Sequence, residues 1–454
     1  MSEHMPPRRQ VTLATAQAAT YRWLSAGRAA LHCVRAAISA PEHRWRAVAL
    51  RAGVFWLITR FVLLGLTYYA LVFRPHVPVE QVIPSRLLYA AWLHGDASGY
   101  LAIAAHGYET PHLSAFLPLY PLLARVGAIF AGGSVAAGAL LVSQLAALAA
   151  FIALALLAAD LRPGTSPARA LAVFVAYPFA FMLAAATNDA LFVALVAGVL
   201  LLARLGRWRW AAVCAFLAGL TALPALALVI PMVWMYGQRR QWWRADYWRG
   251  CQWWRIAEGV RRTPLRNERA DIPVCATVWR APLEMAMVAL AVPAALAVYA
   301  LYCWVRFGNA LVFVGAQSAA LGHGIFDVRP FFALTWSALT GTLTPPQAQT
   351  LVGAALVVTM CAAIIVAARR GDLPMADTLY LLVLLYLSLA AARPAQPQPL
   401  AGSGSVLLAA LPLFVWVARE CERRSWLDLL VLGGGFMLQA LFAVYFLNGG
   451  VLRP

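Results

Sequence analysis

Hydrophobic residues in this chain come in long unbroken runs rather than in alternation. Runs at 51–73, 134–159, 170–186, 190–204, 281–304, 348–368, 375–391, 404–418 and 426–446 fall near the roughly 20 residues a helix needs to cross a hydrocarbon core. Inside lipid every backbone polar group must be satisfied within its own element, so such runs fold as helices. The two-residue alternation of a membrane barrel is not found. Two stretches differ. Residues 115–131 open AFLPLYPLLARV, and two prolines with an arginine suit a helix lying at the outer face better than a span. Residues 210–236 are interrupted by TALP at 221–224, which predicts two half-helices meeting near the outer side. The pattern therefore predicts an all-α polytopic membrane protein with about 11 spans.

The polar intervals between the runs are of two kinds. Some are rich in arginine: the first 50 residues, RPGTSPAR, RLGRWRW, ARRGD, RECERR and the interval 238–280 with its near-repeat QWWRADYWRGCQWWR. Basic loops stay in the cytoplasm, and Trp242, Trp243, Trp248, Trp253 and Trp254 interleaved with arginine suit an interfacial helix better than a docking site. The others are poor in arginine and belong outside: 74–114, the break Thr187-Asn188-Asp189, 306–345 and RPAQPQPLAGSGS with Arg393, Gln396 and Gln398. The expected division is a basic cytoplasmic segment at 1–50 and a transmembrane domain at 51–454. Within the latter, 74–133 forms the first extracytoplasmic loop and interfacial helix, and 306–345 a second outer region. The N-terminus lies inside and the C-terminus outside.

Composition agrees: 63% of the 454 residues are hydrophobic and 12% charged, beyond the range of soluble domains. The net charge of +18 is carried by arginine alone, with no lysine. It points to topology and to anionic lipid headgroups. No nucleic-acid module accompanies it. The seven cysteines are scattered without a CxxC pair, so neither a disulfide framework nor a zinc site is expected. The N-terminus lacks a cleavable signal, so the first run is expected to be retained. Absence of lysine and compact loops suggest a bacterial inner (plasma) membrane protein.

Candidate chemistry gathers in the outer intervals. Asp96, His94, His106, Glu109 and His112 share the first; Asn188 and Asp189 mark a break; Arg306, Asn309, Gln317, His323, Asp327 and Arg329 lie in the second. Ionisable groups at membrane depth or in its cavities are functional candidates. A single carboxylate suits a base that takes a proton from an attacking hydroxyl. On the residues alone, Asp96 could equally be a solvated loop acid or a helix cap.

The stretch DASGYLAIAAHGY (96–108) resembles the signature of the PIG-V (GPI mannosyltransferase 2-like) family of GT-C integral-membrane glycosyltransferases, which reads WDSxWYLxIAxxGY. Three further pieces follow in the same order: AFLPLYPLL (115–123), YPFAFMLAAATNDALF (177–192) with Asp189 at the family's glutamate, and RFGNALVFVGAQ (306–317). The resemblance implies a GT-C-like fold. It also implies transfer of one sugar, mannose first among candidates, from a polyprenyl-phosphate carrier to an extracytoplasmic glycan, glycolipid or protein acceptor, with inversion. Asp96 would be the general base. Tyr100, His106, Tyr120, Asn188, Asp189, Arg306 and Gln317 would contact donor or acceptor, with His106, Tyr120 and Arg306 as the candidates for the leaving phosphate. No cofactor is expected beyond the lipid-linked sugar and no metal ligand set is assigned. A divalent ion stays open, because Asp96, Asp189 and nearby histidines could be brought together. The sequence departs from the family where Gly95 and Gly99 stand at its tryptophans, where LTALPA (220–225) replaces LTRPTG, and where GSGSV (402–406) replaces SMPRY. Two expected arginines are thus missing, and Arg393 is the candidate to substitute. This keeps two rivals open: an inactive GT-C-like scaffold that binds lipid or a partner, and, with less support, a secondary transporter.

Overall fold

The computed structural model describes residues 41–72, 85–161, 166–241, 280–342, 344–394 and 399–449. The arginine-rich N-terminal segment up to residue 40, the Trp/Arg interval at 242–279, Gln396 and Gln398 lie outside the described residues. The chain divides into units of residues 1–51 and 52–454. Every regular element among the described residues is helical.

Among the described residues five helices are long and apolar enough to cross a bilayer: α1 (Pro41–Val72), α5 (Val135–Leu161), α10 (Arg280–Phe307), α13 (Pro345–Arg369) and α17 (Ser425–Leu447). Their apolar windows exceed the length that hydrocarbon demands, and this is the build of an integral membrane protein. Between them stand α2 (Ser85–Ala90), α3 (Ala97–His106), α4 (Leu119–Phe130), α6 (Pro167–Ala176), α7 (Asp189–Arg204), α8 (Trp208–Gly219), α9 (Val229–Arg240), α11 (Val312–Leu321), α12 (Arg329–Thr340), α14 (Met375–Leu389), α15 (Ala401–Val406) and α16 (Leu411–Arg423).

Several expected spans are therefore short or broken, and the breaks have local causes. The run 170–186 ends as a helix at Ala176, because Pro178 pushes Tyr177 into extended geometry. A 3-10 turn, Ala180–Ala184, continues it. The run 210–236 breaks where TALP was read as a break, with a 3-10 turn at Leu223–Leu228 between α8 and α9. The run 404–418 bends by 81° between Ala401–Ala409 and α16, where Pro412 begins a new helix. The predicted interfacial segment is α4. Its Tyr120, Ala124 and Ala128 are buried, while Leu122, Val126, Ile129 and Phe130 are exposed. The second outer region holds α11 and α12.

Most ion pairs among the described residues gather at one end of the bundle. Helix α7 runs from Asp189 to Arg204, and Arg204 donates to the fully buried Asp377 at the start of α14 (2.7 Å). Arg169–Asp428 (2.9 Å), Arg370–Glu420 (3.4 Å) and Arg419–Asp372 (3.4 Å) lie at the matching ends of α6, α13 and α16. The opposite ends of α7 and α14 carry Asp189 and Leu387–Ala390. Arg204 is a charged partner of the buried Asp377, and a buried charge that loses such a partner costs about 3–5 kcal/mol. Asp377→Ala is expected to lower the thermal midpoint of the detergent-solubilised protein sharply. Replacing both Arg204 and Asp377 with Leu and Met should recover much of the loss.

Candidate active site

At the end of the bundle away from those pairs, a cavity of about 410 Å³ is lined by Asp96, Tyr100, Thr187, Asn188, Asp189, Gln317, Arg393 and Ser405 among its polar groups. Its apolar lining includes Phe116, Phe192, Phe326 and Phe446. Segments distant in sequence meet here: the turn before α3, the start of α7, the TALP break through Ala222–Pro224, α11 with the turn after it, and the segment joining α14 to α15.

Asp96 stands at the N-cap position of α3, yet its side chain makes no capping bond. Instead Arg393 donates through Nη1 to both carboxylate oxygens, at 2.8 and 3.0 Å. Both side chains keep partial exposure to the cavity, 24% for Arg393 and 36% for Asp96. The Nε of Arg393 is buried without an acceptor among the described residues, so the guanidinium still holds an unused donor.

Asp189 is the first residue of α7. It accepts the Thr187 hydroxyl on Oδ2 (2.7 Å). Asn188 donates to the Thr221 carbonyl (2.7 Å), which fixes the start of α7 on the TALP break. Tyr100 reaches the same cavity with its ring edge-on to Phe116 and Tyr120. Burial, then the nearby Asp96 and Asp189 carboxylates, push its hydroxyl well above the ordinary tyrosine value, so it remains a hydrogen-bond donor. Gln317 lines the cavity, and its amide nitrogen is spent on the Ala115 carbonyl.

Three of the residues read as substrate contacts lie elsewhere. Tyr120 is fully buried between α4 and α5, bonded to the Ala139 carbonyl (3.0 Å) and Ser143 (2.9 Å). Its place in the YPLL motif is a packing role. His106 is exposed in the last turn of α3, away from the lining. Arg306 is exposed with its guanidinium 5.8 Å from the Phe307 ring centre. The one arginine in the lining is Arg393. Among the described residues no three His, Cys, Asp or Glu side chains come together as a metal site.

The glycines at the departures from the family pattern have local reasons. Gly95 adopts a left-handed backbone (φ +67°), and a Cβ on Gly99 would overlap the Phe116 ring. Within GSGSV, a Cβ on Gly404 would overlap the Phe179 ring, and one on Gly402 would stand 2.6 Å from the Ala391 carbonyl and 3.7 Å from Arg393 Nε. Small residues thus clear the space beside the Phe179 ring and the Ala391 carbonyl. Overpacking of this kind costs about 1–3 kcal/mol, so Gly402→Val is expected to push back the Ala391 carbonyl, two residues before Arg393, and lower both stability and ligand binding in a thermal-shift titration.

No protein-family model matches the sequence, and no curated protein sequence matches it. Among solved structures the chain is similar to the oligosaccharyltransferase of Archaeoglobus fulgidus tethered with an acceptor peptide containing the NVT sequon (12% identity, TM-score 0.38, 90% of this chain and 55% of that one). It is also similar to the same enzyme in complex with Zn and sulfate (13%, 0.35, 86% and 52%). A third is archaeal oligosaccharyltransferase AglB from Archaeoglobus fulgidus in complex with an inhibitory peptide and a dolichol-phosphate (12%, 0.37, 90% and 56%). The chain spans about half the length of these structures.

Proposed function

We propose that this chain is a GT-C-type membrane glycosyltransferase that moves one sugar from a polyprenyl-phosphate carrier to an extracytoplasmic acceptor. The observation that carries the reading is the cavity itself. Two carboxylates, Asp96 and Asp189, and one guanidinium, Arg393, meet within an aromatic lining, at the end of the bundle away from the arginine-rich pairs. Basic ends face the cytoplasm, so the cavity faces outward, where a lipid-borne sugar would present itself.

In the reaction the acceptor hydroxyl oxygen forms a bond to the anomeric carbon from one face. The bond from that carbon to the phosphate oxygen breaks on the other, and its electron pair leaves with the lipid phosphate. Asp96 receives the hydroxyl proton. Arg393, once it leaves Asp96 for the bound donor, carries the charge that grows on the departing phosphate. Tyr100 donates a hydrogen bond to donor or acceptor, and Asp189, held by Thr187, accepts from a sugar hydroxyl. The donor is the lipid-linked sugar, and mannose is the first candidate. The cavity walls hold the two substrates side by side in the geometry the displacement needs.

A second reading has its own observation: in the structure Asp96 and Arg393 neutralise each other, as a scaffold that binds lipid without chemistry would allow. One experiment separates the two. The purified protein is given polyprenyl-phosphate sugars with membrane acceptors, and transfer and donor binding are both measured. Transfer supports the enzyme, and donor binding with no transfer across several sugars supports the scaffold.

A further inference from the structure

His323 lies in the turn after α11, half-buried and outside the cavity lining. Its Nε2 stands 2.7 Å from the Ala392 carbonyl and its Nδ1 2.9 Å from the Gly324 carbonyl. Both neighbours are acceptors. A neutral imidazole has one N–H and one lone pair, so it makes only one of these bonds, whereas the charged ring donates to both. Ala392 directly precedes Arg393, whose own amide donates to the Pro399 carbonyl (2.7 Å). Gly324 directly precedes Ile325 and Phe326, which line the cavity. A second tie runs parallel, from the Tyr386 hydroxyl on α14 to the Phe326 carbonyl (2.8 Å).

We propose that His323 is a positioning residue that staples the turn after α11 to the segment 391–393 and so sets the Arg393 guanidinium against Asp96. The charged and titratable groups around it are Asp327 and Arg329 on its own turn, which pair with each other (2.8 Å). Across the seam stand Arg393, Asp96 and the Tyr386 hydroxyl. Helix α11 adds only the neutral Gln317 and Ser318. The Ala392 bond ties Arg393 from its backbone side, where neither the cavity nor a substrate reaches. The consequence for substrate rests on the reading of Arg393 as the phosphate partner.

The test uses the full-length protein in detergent micelles, decaprenyl phosphate as probe, and amide hydrogen exchange of residues 390–393, all at one fixed pH. In wild type, exchange of these amides is expected to be slow. His323→Ala should show faster exchange and about tenfold weaker binding. His323→Gln keeps a donor for the Ala392 carbonyl and should restore slow exchange and binding. Exchange in His323→Ala that matches wild type overturns the staple, whatever binds. Wild-type binding by Arg393→Ala overturns the phosphate reading instead, and the exchange result then stands by itself. Failure of Gln to rescue, with Ala defective, also overturns the proposal, because it leaves no role for the Ala392 bond.

Discussion

Asp96→Asn is expected to bring sugar transfer close to background and to leave the donor bound. Asn keeps the volume and one oxygen of the carboxylate, so the wall of the cavity stays intact, but it cannot take the acceptor's proton. General-base catalysis contributes about 10²–10⁴-fold, and the rate should fall by that order. Binding should move the other way. Asp96 takes two hydrogen bonds from Arg393 Nη1, and removing its charge leaves the guanidinium free for an anionic ligand. The expected result is transfer near background in a radiolabelled-sugar assay, with donor affinity equal to or above wild type by titration. Transfer at the wild-type rate would remove Asp96 as the base. Asp189→Asn is the control: its carboxylate is held by Thr187, and its loss should weaken binding of a sugar with a smaller fall in turnover.

Much of the fold is legible in the hydrophobic pattern, because a span is a one-dimensional object. Length and apolar content decide it, and α1, α5, α10, α13 and α17 fall where the long runs are. The pattern misjudges the short runs. A count of apolar residues does not register that Pro178 halts the helix at Ala176, or that Pro412 starts a new one at a sharp angle. Both are backbone effects of single residues. TALP was readable because proline and threonine interrupt the run visibly.

The site divides in the same way. Asp96, Asn188, Asp189 and Gln317 are polar residues standing next to apolar runs, and such exceptions show in a sequence. Tyr120 was misplaced because a motif records which residue types recur together without saying which face they occupy. Its helical spacing with Ala124 and Ala128 held the answer, since residues four and eight positions on form one face. Opposite them Leu122, Val126 and Ile129 form the outward face. The pairing of Arg393 with Asp96 spans 297 positions, and no periodicity carries a contact of that range. Its only trace was the absence of arginine at GSGSV, a deficit that some other cation had to fill. The role of His323 had no trace, because it depends on two backbone carbonyls whose directions are set by the turns around them.

Arg393→Ala should cost donor binding and transfer together, and by more than the loss of a surface charge. The guanidinium has one nitrogen on Asp96 and a second, Nε, buried with no acceptor among the described residues. Exposed ion pairs are worth about 0–1 kcal/mol and truncating one partner of a buried charged contact costs about 2–5 kcal/mol or more, so a partly exposed contact falls between them at about 1–2 kcal/mol. That corresponds to a loss of roughly 5- to 30-fold in affinity for decaprenyl phosphate. Arg393→Lys keeps the charge without the planar fork, so it should fall between Ala and wild type in binding while turnover stays low. The pair also predicts non-additivity. In Arg393→Ala, Asp96 is left without its counter-charge. In the Asp96→Asn, Arg393→Ala double variant that burden is gone, so its stability should exceed the sum of the two single losses in a double-mutant cycle. Additive stabilities would show that the 2.8 Å contact contributes nothing in the folded protein. Full donor affinity in Arg393→Ala would mean that the phosphate is held elsewhere in the cavity.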